Sequence, residues 1–258
     1  MAVVTYELKD HVAYVMLNRP DVLNCFNYET LSVLQGIVDD IYSDREVRAV
    51  IFMGAGERAF SAGADLKERR TLSESEVRRN VKKIREVFSS VESLPQPTIA
   101  AMNGFAFGGG FELALACDFR FAVEGTKMGL TETSLGIIPG AGGTQRLPRL
   151  IGTAKAMELV LTARKLSSVE AYDYGILNGV TTGEKLLGTC EELAREICQN
   201  APVAVQQAKF AVREGMNVDR HTGMAIESKA YEVTIPTEDR LEALDAFAEK
   251  RKPVFKGK

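Results

Sequence analysis

Apolar positions in the first half of the chain alternate between short unbroken runs and helix-spaced stripes. Residues 11–17 (HVAYVML) form a β-rich run closed by Asn18-Arg19-Pro20. Residues 28–42 carry Leu31, Leu34, Val38 and Ile41 at the three- and four-residue spacing of one helix face. Residues 49–53 (AVIFM), stopped by Gly54, read as a strand buried on both faces. A charged helix follows over 73–91, with Val77, Val81, Ile84 and Phe88 on one side. Leu94-Pro95-Gln96-Pro97 breaks it. Residues 98–102 (TIAAM) are the next buried strand. Gly108-Gly109-Gly110 then opens an apolar helix over 111–116, and 119–123 is another short strand. Strands alternating with helices predict βαβ units and a largely parallel sheet.

After about Leu150 the strand signal nearly vanishes. Helical spacing recurs over 153–161, 184–199, 202–214, 219–231 and 237–249. A boundary is expected near 195–200, giving a sheet-bearing core over 1–197 and a helical part over 198–258. No low-complexity linker separates them, and no internal repeat is visible.

The chain has 258 residues, 45% hydrophobic and 26% charged, so it can bury a sizeable core. A net charge of −3 argues against nucleic-acid binding through bulk positive charge. Cys25, Cys117, Cys190 and Cys198 are scattered without a Cys-x-x-Cys, which suits free thiols in a reducing compartment. With only His11 and His221, a His-rich metal site is excluded, and a Ser-His-Asp triad would need one of those two. The N-terminus has no basic region before a long apolar stretch, and no apolar run reaches the ~20 residues of a membrane span. A cytoplasmic protein is expected.

Two glycine-rich stretches come into question. Residues 54–59 fit the loose dinucleotide pattern G-x-G-x-x-A, but no helix opens at those glycines and the acid some twenty residues on, Glu74, lies in a polar helical run. Residues 139–146 lack the Gly-Lys-Ser/Thr of a phosphate loop. Gly108-Gly109-Gly110 differs, because three glycines at a helix start leave backbone N–H groups unshielded and aligned with the helix dipole. That suits a developing negative charge, and it suits tight helix–strand packing equally well.

Two carboxylates stand out. Glu112 falls in the first turn of an otherwise apolar helix, and Glu132 lies among small and apolar residues before Leu135-Gly136-Ile137-Ile138-Pro139. A charge in such surroundings is costly unless it is paired or used. Alone, each reads as a helix-start or loop acid. Together they suggest an acid–base pair, one holding a proton and one not. Asp65, Asp118 and Arg146 read as a cap, a backbone-binding acid and a structural ion-pair partner. Cys117 reads as a small core residue.

Residues 60–67 (FSAGADLK), 103–118 and 129–147 (GLTETSLGIIPGAGGTQRL), in this order, resemble the crotonase (enoyl-CoA hydratase/isomerase) superfamily. The resemblance extends over essentially the whole chain, from Asn18-Arg19-Pro20 to residues 247–252 (FAEKRK). Residues 64–69 and 223–227 are similar to its methylglutaconyl-CoA hydratase-like branch.

The resemblance implies an α/β fold of the crotonase (ClpP-like) type, made of repeated ββα turns with a helical C-terminal trimerisation region. It implies a homo-oligomer, a hexamer built as a dimer of trimers, and an acyl-CoA substrate with no metal or separate cofactor. Ala64 and Gly109 match the two backbone donors of an oxyanion hole. Glu112 and Glu132 match the two hydratase glutamates. Ala62, Asp65, Leu66 and Lys67 match the lining of a CoA channel. Phe247 and Lys250 match C-terminal positions that hold the nucleotide end, from a neighbouring subunit.

Retention of both glutamates favours an enoyl-CoA hydratase, a lyase of fatty-acid β-oxidation type adding water syn to a 2-enoyl-CoA. Methylglutaconyl-CoA hydratase and Δ3-Δ2-enoyl-CoA isomerase are the alternatives. Some members of the branch bind RNA through a lysine-rich helix. Residues 27–44 contain no lysine and carry Glu29, Asp39, Asp40 and Asp44, so no nucleic acid is expected there.

Overall fold

The computed structural model describes residues 2–258. A six-stranded sheet runs in the order β1 (Val4–Lys9), β2 (Val12–Leu17), β3 (Ala49–Gly54), β5 (Thr98–Met102), β7 (Phe119–Val123), β10 (Gly179–Thr181). Only the β1–β2 pairing is antiparallel. A second sheet holds β4 (Ala59–Ser61), β6 (Phe105–Phe107) and β8 (Lys127–Gly129) in parallel, with β9 (Leu166–Ser167) antiparallel at its edge. From β3 onward the chain repeats one cycle: a strand in the first sheet, a short strand in the second, then helix. β3 and β4 lead to α2 (Leu66–Thr71) and α3 (Glu74–Ser93), and β5 and β6 lead to α4 (Gly109–Ala116). β7 and β8 lead to α5 (Gly143–Ile151) and α6 (Thr153–Leu161). The ββα turns expected above are therefore present.

The unbroken apolar strands are explained by what covers them. Val50, Phe52, Ala100 and Met102 face the main core. There they meet Leu31, Leu34 and Val38 of α1 (Tyr28–Ser43), Phe88 of α3 and Leu113 of α4. Ala49, Ile51, Ile99 and Ala101 face the other way, under Leu186, Cys190 and Ala194 of α8 (Gly183–Cys198). A sheet covered on both faces needs no polar alternation. The helices start where their caps put them. Asn27 accepts the Thr30 N–H, and Ser73 with Glu76 forms a reciprocal capping box. α4 is wholly buried and lies so close to β4 that a Cβ at Gly110 would collide with the Ser61 carbonyl. Glycine serves packing at that position.

Several elements escape pattern reading for identifiable reasons. β1 buries only Val4 and lies at the sheet edge, so it shows no apolar run. His11 belongs to a turn with φ 66°, and its strand starts at Val12. β4, β6, β8, β9 and β10 have two or three residues each, too short for periodicity. α5 contains Pro148, which reads as a breaker, and α7 (Ser168–Asp173) spans under two turns.

Residues 199–201 separate α8 from α9 (Pro202–Gly215), which packs against α10 (Arg220–Thr234). α9 is tied to the core by Lys209, whose Nζ donates to Asp118 Oδ2 (2.6 Å) and to the Gln96 carbonyl (2.9 Å). Asp118 also accepts from the Thr98 N–H, as a backbone-binding acid should. Val212, Met216, Met224, Tyr231 and, on α11 (Glu238–Ala248), Phe247 stand exposed.

Phe88 packs edge-on against Phe26 with ring centroids 5.3 Å apart and is fully buried. Phe88→Ala is expected to lower the free energy of unfolding by about 3–5 kcal/mol. Val33→Ala on the exposed side of α1 should cost within about 0.5 kcal/mol. Denaturant titration of both variants checks the contrast.

Candidate active site

A cleft of about 910 Å3 opens between α3 and the segment that follows β8. Val77, Val81 and Ile84 of α3 form one apolar wall, and Leu135, Ile137, Ile138 and Pro139 form the other. Its floor is built from two tight backbone passages. The first is residues 62–64, leaving β4. Ala62 N–H donates to the Leu23 carbonyl, and Gly63 N–H to Ser61 Oγ. A bridge joins Phe26 to Ala64 through the Phe26 N–H to Gly63 carbonyl and the Asp65 N–H to Phe26 carbonyl. The Ala64 N–H takes no part in that bridge. The second passage is Gly108-Gly109 at the start of α4, where the Gly109 N–H has no partner within the helix. The two passages touch, because a Cβ on Gly63 would lie 3.0 Å from Gly109 N.

Glu112 stands one turn into α4 and is 2% exposed. Its Oε1 accepts the N–H groups of Ala141 (2.8 Å) and Gly143 (2.9 Å). Oε2 accepts no hydrogen bond from the described residues. Burial raises the Glu112 pKa. The two amide bonds and the charges of Arg146 and Arg85 offset part of that rise. Glu132 opens a short 3-10 turn (Glu132–Leu135) on the opposite side and is also buried. Its pKa is pushed up to about 7, first by burial and then by the Glu112 charge, against a weaker pull from Arg69. Glu132 Oε2 is buried without a partner. Burial and the repelling neighbour thus favour the protonated form of Glu132, and its own backbone N–H and Arg69 offset them only in part.

The expected site residues divide into two groups. Ala62, Ala64, Leu66, Gly109, Glu112 and Glu132 all line this cleft. Asp65 and Lys67 do not. The Asp65 carboxylate caps α2, accepting the Lys67 and Glu68 N–H groups on Oδ1 and the Arg19 guanidinium on Oδ2 (3.0 Å). Lys67 is exposed on α2. Phe247 is 86% exposed on α11, Lys250 follows that helix, and neither lines the cleft of its own chain.

Two contributors were invisible in the sequence. Asn24 is buried and donates Nδ2 to the Ala55 and Ala59 carbonyls, while its own carbonyl receives Ser61 Oγ. It thereby fixes the entry to residues 62–64 from a distant loop. Residues 139–143, rejected as a phosphate loop, supply the amides that hold Glu112.

Residues 7–258 match the family model for enoyl-CoA hydratase/isomerase. YngF of Bacillus subtilis (strain 168), provisionally named an enoyl-CoA hydratase/isomerase, is 52% identical over 248 residues, covering 96% of this chain and 95% of that one. The human mitochondrial methylglutaconyl-CoA hydratase is 49% identical over 245 residues, covering 93% of this chain and 72% of that one. The crystal structure of an enoyl-CoA hydratase from Bacillus anthracis superposes with a TM-score of 0.97 at 50% identity, covering 99% and 100% of the two chains.

The raised pKa of Glu132 sets a pH signature. Between its ordinary value and about 7, the folded protein binds a proton that the unfolded chain has released, so stability falls as pH rises through that window. Glu132→Gln removes the penalty. The variant is expected to match the parent near pH 4 and to exceed it by about 1–3 kcal/mol at pH 8, measured by urea unfolding at both pH values.

Proposed function

We propose that this chain, which belongs to the enoyl-CoA hydratase/isomerase family, is a 2-enoyl-CoA hydratase. The observation that carries this is the unequal pair of buried glutamates in one cleft. Glu112 has its charge supported by two amides, whereas the Glu132 pKa is pushed up to about 7, so a protonated form is available near neutral pH. Hydration needs a base for water and an acid for carbon at the same time.

In this reaction the thioester oxygen accepts the Ala64 and Gly109 N–H groups. Glu112, anchored through Oε1, uses Oε2 to orient a water and take its proton as the oxygen bonds to C3. The electrons of the double bond shift toward the carbonyl, giving an enolate-like species whose charge the two amides stabilise. Losing one such donor costs about 3–4 kcal/mol in comparable sites. Glu132 delivers its proton to C2, and a proton passing from Glu112 to Glu132 resets the pair. Acid and base approach from one side, so addition is syn. Every group the step needs comes from the chain, and no metal or separate cofactor is called for.

Two other readings are kept in view by specific features. Either glutamate could move a proton between C2 and C4 without water, the isomerase reaction, but that work needs one carboxylate and leaves the second without a role. Arg85, which lines the cleft, donates Nε to the Gly140 carbonyl and forms no ion pair among the described residues, would suit an acyl group with a distal carboxylate, as in 3-methylglutaconyl-CoA. Val77, Val81, Leu135 and Ile138 would supply an apolar wall for the acyl chain. Leu66 and Ala62 lie on the CoA side of this arrangement. Phe247 and Lys250 would reach a neighbour's nucleotide end, and the exposed apolar residues of α9 to α11 would be covered in a dimer of trimers. The four free cysteines fit the reducing cytoplasm.

With crotonyl-CoA, loss of enoyl-thioester absorbance is expected. Glu112→Gln and Glu132→Gln should each lower kcat by about 10²–10⁴-fold while CoA binding is kept. Unchanged turnover in either variant would remove it from the mechanism. Conversion of a 3-enoyl-CoA without hydration of any 2-enoyl-CoA, including 3-methylglutaconyl-CoA, would favour the isomerase. Light scattering is expected to give a hexameric mass, and a monomer would remove the C-terminal oligomer assignment.

A further inference from the structure

We propose that Arg146 is a positioning residue for Glu112, holding the 139–143 loop so that its amides meet the carboxylate. The proposal rests on the role given to Glu112 above.

The loop is built from Gly140, Gly142 and Gly143 around a single alanine, and such a chain has wide backbone freedom. An amide N–H points where its peptide plane points, so the planes must be pinned from their oxygens. The Gly140 carbonyl accepts Arg85 Nε (3.2 Å), and the Gly142 carbonyl accepts the backbone N–H groups of Gln145 and Arg146. The Ala141 carbonyl belongs to the peptide that joins these two donor-bearing planes, so its direction sets how the planes are turned relative to one another. It accepts Arg146 Nη1 at 2.6 Å. Gly142, at φ 103°, is fitted to the same side chain, since a Cβ there would collide with the guanidinium.

Arg146 is itself fixed. Its Nη2 donates to Glu92 Oε2 of α3 at 2.6 Å, and Arg213 of α9 stands 3.7 Å from the same oxygen. Burial works against the Glu92 charge, yet the hydrogen bond and charge of Arg146, with Arg213 beside it, outweigh it and hold the carboxyl below its ordinary range. A simple staple between α3 and α5 is the competing account. A staple would turn both arms of the guanidinium to the carboxylate. Here one arm is spent on the Ala141 carbonyl, and Nε is left buried without a partner. The side chain is only 11% exposed, so it is not a solvated surface pair. Lysine would offer a single donor centre in place of the two Nη groups that Arg146 directs to separate acceptors.

The test uses Arg146→Met, Arg146→Lys and Glu92→Gln in the full chain. Arg146→Met is expected to lower kcat by about 10- to 100-fold with KM for crotonyl-CoA changed by under about threefold, as for a displaced catalytic group. Arg146→Lys should recover part of the loss, and Glu92→Gln should show a smaller loss of the same kind. The second readout needs no turnover. The carboxyl infrared band that Glu112→Gln abolishes is followed against pH. Glu112 faces Arg146, Arg85 and Glu132, with Arg69 beyond Glu132, and only the first changes. Its titration is expected to move up by about half a unit or more in Arg146→Met. A folded Arg146→Met with kcat and the Glu112 titration both unchanged overturns the proposal. So does a rise in KM with kcat retained. If Arg146→Met fails to fold, Glu92→Gln decides by the same two readouts. If the parent protein hydrates no enoyl-CoA but the titration moves, the functional reading fails and the positioning role stands.

Discussion

A buried carboxylate must be solvated by something other than water, and the rest of the site follows from how Glu112 meets that requirement. Its charge sits in a helix of small apolar residues, where desolvation alone would neutralise it. Two backbone amides from residues 139–143 take the place of water on Oε1. For them to converge, the loop must adopt a left-handed glycine at residue 142 and must have its carbonyls held from behind. The other oxygen is thereby left toward the cleft without such donors. The electrostatic asymmetry between the two glutamates comes from this same arrangement. Burial raises both pKa values, but for Glu112 this is offset by two amides from the loop and by Arg146 and Arg85, whereas Glu132 has only its own N–H and Arg69 against burial and the Glu112 charge.

The ββα repeat supplies the geometry that makes such convergence possible. Each turn ends its short strand at the same edge of the second sheet, so residues 62–64 after β4 and Gly108-Gly109 after β6 arrive side by side. Their contact is backbone on backbone, with no room for side chains between α4 and β4. Two amide donors can then face one ligand atom, preorganised by packing rather than ordered at the moment of reaction. Asn24 and the Phe26–Phe88 contact brace that junction from the core side.

The C-terminal helices are joined to this machinery by charge rather than by a shared core. Lys209 reaches Asp118 at the end of α4, and Arg213 reaches Glu92, which holds Arg146. Through the Arg213–Glu92–Arg146 group, α9 and the Glu112 loop share one carboxylate. Beside those pairs the same helices leave apolar side chains such as Val212 and Met216 exposed.

Much of this was legible in the sequence. Long buried strands such as β3 and β5 announce themselves because both faces are covered, and α3 because its stripe has a single side. Glu112 and Glu132 stood out because charge among small apolar residues needs a reason, and Asp65 declared itself a cap. What the sequence could not carry was anything that depends on where distant backbone groups point. Asn24 looks like a turn residue, and Pro139 to Gly143 like an ordinary loop. Strands of two or three residues have no period to read. Whether two carboxylates meet, which of them keeps a proton, and which amides converge on one oxygen are set by tertiary proximity. Chemical type and local spacing are written in the chain; desolvation and the direction of an N–H group exist only once the chain has closed around them.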